Sequence, residues 1–474
     1  MNYETVIGME VHVELGTASK MFCSCPAEHF QVPPNRHVCP VCTAQPGALP
    51  VINGRAVELT VMTGMALNSR IRPRSVFARK NYTYPDLPKG YQISQYERPL
   101  CEGGHVDIAA DGESRRVGIV RVHLEEDTGK LLHEGGASHV DLNRAGVPLM
   151  EIVSDASIRS AAEAGAYVQK IRQIVRYLGA SSGDMEKGAL RCEANISVRP
   201  AGSEALGTKV EVKNLNSFRS VRNAIDYEVE RQVEVLEAGG QVRQVTMGWD
   251  ETAEVTREQR SKEEADDYRY FPEPDLLELD LPEAWIEEVR GRLPELPDAR
   301  AAALTALGLA PRDAEQLAED GAVADYFEQV VAAGADPRTA ANWVTGEIFR
   351  LLNESGGDIE ALKVRPPQLA ELIALAAAGA VSGPAAREVF GAMAESGGSP
   401  ARIVEERGLQ QVSDTGELES QVDEVIAAQA DAADKVRSGD PKPIGFLVGQ
   451  VMRATRGRAN PQRVQELLRE RLLS

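Results

Sequence analysis

No stretch of this chain approaches the roughly 18 consecutive apolar residues that a bilayer-crossing helix needs, which excludes a helical membrane protein. Positive charge is also scarce: 52 lysines and arginines face 72 acidic residues, a formal charge of −20 over 474 residues. That balance excludes indiscriminate binding to a phosphate backbone and permits only a locally basic docking surface. The glycine-rich phosphate loops GxxxxGK[ST] and GxGxxG after a strand are missing, so phosphates would have to be held by metal on carboxylates and by lysine or arginine. No stretch reads as a nucleophile elbow or a serine–lysine pair, which disfavours hydrolysis through a covalent intermediate. Internal repeats at solenoid periods and low-complexity segments are absent. The chain enters a strand pattern almost directly after Met1, which leaves no room for a signal or transit peptide and predicts a soluble, cytoplasmic protein.

What is present is ample for packed structure: 43% apolar residues and a length that implies two to four domains. Up to about residue 290 period-two stretches alternate with turn signals, interrupted by two helical segments. One, "ASIRSAAEAGAYVQKIRQIVRYLGA", stops at Gly179; the other, "SFRSVRNAIDYEVERQVEVLEAGG", opens with Ser217 as cap and closes at Gly239 and Gly240. Beyond the proline-punctuated "PEPDLLELDLPEAWIEEVRGRLPELP" the character becomes helical. These patterns predict an α+β chain with a mixed or antiparallel sheet over residues 1–293, a helical domain over 294–404 and a small helical tail over 405–474. Charge is segregated in that tail: seven acidic and no basic residues from Gln411 to Asp434, then nine basic and three acidic from Lys435 onward.

The first strand, "IGMEVHVELG", places Ile7, Met9, Val11, Val13 and Leu15 on one face and Gly8, Glu10, His12 and Glu14 on the other. The same logic recurs. In "GIVRVHLEED" Val120, Val122 and Leu124 oppose Arg121, His123 and Glu125; in "LRCEANISVRP" Cys192, Ala194 and Ile196 oppose Arg191, Glu193 and Asn195; in "TKVEVKN" Val210 and Val212 oppose Lys209, Glu211 and Lys213. An antiparallel sheet with one wet face accounts for each strand singly. Glu151, in "VPLMEIVSD", is flanked by apolar residues on both faces; a buried carboxylate there needs a cation, an arginine such as Arg144, or a raised pKa. Convergence of Glu10, His12, Glu125, Glu151 and Glu193 would supply oxygen ligands and one imidazole, suited to Mg²⁺ or Mn²⁺ with positions left for phosphate. Lys89, Arg191 and Lys213 are the cationic candidates for ATP phosphates.

Four of the six cysteines form two close pairs, Cys23 with Cys25 and Cys39 with Cys42, separated by thirteen residues. In a cytosolic chain this spacing reads as a tetrahedral thiolate zinc site, structural because four thiolates leave no position for chemistry. Cys101 and Cys192 carry no functional signal.

The stretches "IGMEVHVEL", "CPVCTAQPGALPVIN", "KNYTYPDLPKGYQISQYERPL", "RVHLEEDTGK", "DLNRAGVPLMEIVS", "RCEANISVRP", "EVKNLNSF", "DDYRYFPEPDL" and "PKPIGFLVGQVMRATRGRANP" run in order from residue 5 to about 460, and together they resemble the GatB family of tRNA-dependent amidotransferase subunits. The resemblance implies a cradle similar to the catalytic region of glutamine synthetase, followed by a helical domain and a tail similar to the YqeY proteins. It implies a glutamine-dependent carbon–nitrogen ligase that uses ATP to convert Glu-tRNA(Gln) or Asp-tRNA(Asn) into the amide form in the bacterial cytoplasm. Glu10, His12, Glu125 and Glu151 would be its catalytic and Mg²⁺-binding residues. Glu193 stands where the family pattern has the shorter aspartate, which weakens its claim as a ligand. The chain lacks the amidase signature "GGSSGGS", so ammonia would come from an A subunit in a heterotrimer that also holds a C subunit. Lys442, Arg453, Arg456 and Arg458 would contact tRNA phosphates, against the alternative of an ordinary solvated helix face. The tyrosines of "NYTYPDLPKGYQ" fit either loop packing or the acceptor end of tRNA. A stand-alone ligase for a small amino acid would share the carboxylate floor without needing the basic tail; a tRNA-binding scaffold would need the tail without the floor.

Overall fold

The computed structural model describes residues 2–261, 268–411, 415–455 and 459–473. It divides into two units, Met1–Leu296 and Pro297–Ser474. Among the described residues no helix is long and apolar enough to cross a membrane.

The first unit is built on a ten-stranded mixed sheet. Its middle runs Val210–Leu215, Leu190–Pro200, Tyr3–Glu14, Pro148–Ser154 and Glu113–Glu126 side by side, all antiparallel neighbours. Val245–Asp250 joins Val210–Leu215 in parallel, and Val255–Ser261 closes that edge. The period-two pattern of the first strand is realised in full: Ile7, Met9, Val11 and Val13 are completely buried, while Glu10, His12 and Glu14 face the other way.

The buried face is covered by helices Gly54–Ala66, Ala161–Tyr177 and Phe218–Glu237, whose apolar residues share one core with the sheet. Ser217 caps the third by accepting from the Ser220 amide, and Gly179 adopts φ 59° just past the second, the left-handed conformation that ends a helix cheaply only at glycine. Along Glu113–Glu126 the alternation breaks. Val120, read from sequence as a core residue beside Val122 and Leu124, is exposed, because the pairing with Pro148–Ser154 shifts register between Val153 and Ser154.

The second unit is helical throughout its described residues and has two separate apolar clusters, one drawn from Leu304 to Val404 and the other from Leu418 to Leu472. In the latter, Lys442 precedes helix Pro443–Ala454 and Arg453 lies in its last turn. Arg456 and Arg458 lie outside the described residues.

Candidate active site

Strand register alone brings most of the candidate residues together. His12 lies opposite Glu151 on one side and Arg191 on the other; Glu10 lies opposite Glu193; Glu151 lies opposite His123. The side chains then sort into two groups rather than the single five-ligand site anticipated from sequence. His12 Nε2 sits 3.7 Å from Glu125 Oε1 and 3.7 Å from Glu151 Oε2. Beside this triad, Glu10, Glu193 and Glu211 also offer oxygens within 4.8 Å of one another. Glu193 therefore belongs with Glu10 and Glu211, not with His12.

Both groups open into one cleft of about 440 Å³, also lined by Lys80, Lys213, His123, Arg121, Tyr96 and Tyr270. Lys213 Nζ donates to Glu193 Oε2 at 2.7 Å and lies 3.7 Å from Glu211 Oε1. Lys89 and Arg191 are engaged otherwise. Lys89 pairs with Glu126 and Arg191 with Asp127, and neither is among the residues lining the cleft.

The electrostatics follow from crowding acids in a partly dry cleft. Burial would raise the carboxyl of Glu151, but His123 at 3.2 Å, His12 and Lys80 outweigh it and hold that carboxyl well below the usual range. Compensation for the buried Glu151 thus comes from two imidazoles and a lysine. Arg144, the partner considered from sequence, instead donates to the carbonyls of Thr128 and Gly129 and lies 3.6 Å from Asp127. Burial opposes a proton on His12, yet Glu151, Glu193 and Glu125 raise its pKa. Glu10 is raised, first by burial and then by Glu151 and Glu193. So many acids around so few cations is a donor set for divalent metal: imidazole with two carboxylates in one group and three carboxylates in the other fit hard ions such as Mg²⁺ or Mn²⁺.

The mouth of the cleft is aromatic. Tyr96 and Tyr270 stack at 4.3 Å and 10°, Arg121 lies over Tyr96 at 5.9 Å, and Lys80 lies 4.9 Å from the Tyr268 ring. Sequence reading passed over Lys80, His123, Glu211 and this tyrosine stack as site residues. For His123 and Glu211 the signal was available, since each shares the face of a residue already singled out; Lys80 and Tyr270 reach the cleft from segments with no such pattern.

Away from the cleft, Cys23, Cys25, Cys39 and Cys42 bring four sulfurs within 4.8 Å of one another. The Cys39 amide donates to Cys42 Sγ at 3.1 Å. A hydrogen bond from Cys23 pulls the Cys42 thiol down to about 5, despite burial and with help from Lys20, whereas burial pushes Cys25 up to about 11. Four thiols this close cannot all ionise beside each other without a cation, and Zn–S bonds of about 2.3 Å place tetrahedral sulfurs about 3.8 Å apart, matching the 3.9 Å between Cys39 and Cys42. The cluster could hold a metal such as zinc.

Two family models match the chain, one described as the GatB/GatE catalytic domain over residues 5–287 and one as the GatB domain over 325–472. Relatives of the same length include proteins from Geobacter sulfurreducens, 53% identical over 478 residues, and Moorella thermoacetica, 54% identical over 477 residues, each aligned over 100% of both chains. Both carry the name of the B subunit of aspartyl/glutamyl-tRNA(Asn/Gln) amidotransferase.

Proposed function

Since this chain belongs to the GatB family of amidotransferase B subunits, we propose that its cleft performs the ATP-dependent amidation of Glu-tRNA(Gln), Asp-tRNA(Asn) or both. The observation that carries this reading is the pair of acidic groups, His12–Glu125–Glu151 and Glu10–Glu193–Glu211, on one sheet face beneath one cleft.

A carboxylate resists attack by ammonia because it is anionic and its oxygen leaves poorly. Transfer of the γ-phosphoryl of ATP to the side-chain carboxylate of the tRNA-bound amino acid forms a new O–P bond, breaks the bond to the β-phosphate and releases ADP. Ammonia then attacks the acyl carbon, loses a proton and expels phosphate, leaving the amide. Divalent ions held by the two groups would supply charge neutralisation at the transferring phosphate. The chain's own residues do the rest: Lys80 and Lys213 bring positive charge to the cleft, and His123 holds Glu151 ionised and oriented. A floor of carboxylates on a largely antiparallel sheet supports the comparison with glutamine synthetase.

Ammonia is supplied by an A subunit in a complex with a C subunit, the cysteine cluster holds a structural zinc, and residues 1–293, 294–404 and 405–474 act as cradle, helical domain and tRNA-binding tail in the cytoplasm. The test is co-purification with A and C subunits and an amidation assay on each misacylated tRNA; absence of amide from both, with ATP and glutamine present, refutes the reading.

The tail gives a separate expectation. The double variant Lys442→Ala, Arg453→Ala removes two phosphate contacts, so KM for tRNA should rise about tenfold in moderate salt and the slope of log affinity against log salt should flatten by one to two, roughly 0.7–0.9 per contact. An unchanged slope would return both residues to the ordinary solvated surface.

A further inference from the structure

The strand Glu113–Glu126 brings to the cleft a cation that the acids leave alone. Arg121 lies four strand spacings from the strand of Lys213, roughly 19 Å at 4.8 Å a step. Lys213 is engaged by Glu193 and Glu211, whereas Arg121 makes no ion pair among the described residues. Glu102, its neighbour on the adjoining strand, is taken by Arg70 and Arg72. The Nε of Arg121 is buried and has no hydrogen-bond partner. Leaving a charged donor unmet is costly, so a guanidinium in this state has unused capacity for an anion. We propose that Arg121 grips the side-chain carboxylate of the tRNA-linked glutamate or aspartate, an assignment that rests on the phosphoryl-transfer reading above.

The backbone gives independent support. Val117 and Ile119, two and four positions before Arg121, are buried in the core. Unbroken alternation would send Arg121 there too. The ladder with Pro148–Ser154 pairs Arg121 with Val153 and Ile119 with Ser154, so Val120 is the extra residue of a bulge. That bulge reverses the faces and turns Arg121 into the cleft together with His123 and Glu125. Bulges beside active sites recurrently re-aim one side chain in this way.

The setting favours a carboxylate over a phosphate. Phosphates carry enough charge to be taken by divalent ions on the two acidic groups, but a lone carboxylate nearing Glu125 and Glu151 is repelled by both. A fork of two parallel N–H groups offsets that repulsion and orients both oxygens, each of which keeps a lone pair for attack on the γ-phosphoryl group. The guanidinium lies over the Tyr96 ring, 5.9 Å from its centroid, at the aromatic mouth through which an aminoacyl end must enter. An aromatic face holds the cation without consuming its N–H groups. It also leaves the long stem able to shift, which suits two substrates whose carboxylates differ in reach by one methylene.

The test uses the complete amidotransferase complex carrying Arg121→Met, which keeps an apolar stem and removes the charge, and Arg121→Lys, which keeps the charge and removes the fork. Without ATP, wild type should bind Glu-tRNA(Gln) about tenfold more tightly than Gln-tRNA(Gln), whose side chain is the neutral amide, the scale of one charge-assisted contact. Arg121→Met should bind the two equally, and Arg121→Lys should fall between. In amidation, kcat with Glu-tRNA(Gln) should drop about 100-fold in Arg121→Met and about tenfold in Arg121→Lys, the effect of a misplaced nucleophile, with KM for ATP within about twofold of wild type. A merely structural role would weaken both tRNAs alike, so a preference for the carboxylate that survives in Arg121→Met overturns the assignment, as does a wild-type complex with no preference. So does a rise in KM for ATP beside an unchanged preference, which would give Arg121 to a phosphate. The binding arm needs no turnover: a wild-type complex that makes no amide, yet loses its preference in Arg121→Met, would keep the grip and discard the reaction.

Discussion

Substituting His12 by alanine should lower the kcat of tRNA amidation by about 10³-fold, the scale of losing an electrostatic group aimed at developing charge, while tRNA affinity stays within about twofold. The His12 side chain is only 17% exposed, and its ring nitrogen stands 3.7 Å from both Glu125 and Glu151. Without it those two acids keep His123 and Lys80 as neighbours but lose the nitrogen member of their donor set. Glu125→Gln should act in the same direction, because it keeps the size of the side chain and removes only its charge. Neither residue belongs to the sheet's apolar core, so both variants should keep the wild-type circular dichroism spectrum. A raised KM with kcat preserved would instead mark His12 as a binding residue, and unchanged amidation would remove this group from the chemistry altogether.

The second large effect is expected at the cysteines. Metal analysis of the wild-type protein should find about one equivalent of zinc per chain, and replacing both Cys39 and Cys42 by serine should eliminate it. With the metal goes a local stabilisation that in zinc-finger peptides is on the order of 10 kcal/mol. The segment from Cys23 to Val51 contains almost no regular secondary structure and exposes Phe30, Leu49 and Val51; His29 pairs with Glu14 and the amides of Asn35 and His37 donate to Asp141 and Asn143, but a metal would be the tie that joins its two cysteine pairs. Limited proteolysis should cut the double variant within this segment under conditions that leave wild type intact. A zinc-free wild-type preparation with the same protease resistance would contradict a structural metal.

How much of this could be read before the structure depended on how far apart in sequence the interacting residues are. The wet face of the first strand and the burial of Glu151 follow from local alternation, and the cysteine pairs lie within twenty positions, so these emerged from pattern alone. Assignments that depend on register across strands did not. That Glu193 joins Glu10 and Glu211 is fixed by the pairing of Tyr3–Glu14 with Leu190–Pro200 and of the latter with Val210–Leu215, which no single strand encodes. The partner of Glu151 was sought in Arg144, close in sequence, whereas His123 reaches it from the neighbouring strand. Lys89 and Arg191 looked available for phosphate because their acidic partners, Glu126 and Asp127, lie 37 and 64 positions away. The exposure of Val120 is the work of one β-irregularity, invisible to a period-two pattern.

The decisive measurement is transfer of label from γ-labelled ATP to the aminoacyl group of misacylated tRNA, in the complete complex with glutamine and ammonia withheld and with hydroxylamine added to trap activated acyl groups. Label should appear as phosphate released in step with a side-chain hydroxamate, γ-glutamyl or β-aspartyl, as distinct from the α-hydroxamate that hydroxylamine forms from the tRNA ester without ATP, and the His12→Ala complex should form neither labelled phosphate nor side-chain hydroxamate above background. Side-chain hydroxamate formed without release of labelled phosphate, or formed equally well by His12→Ala, would show that the acidic cleft does not activate the carboxylate.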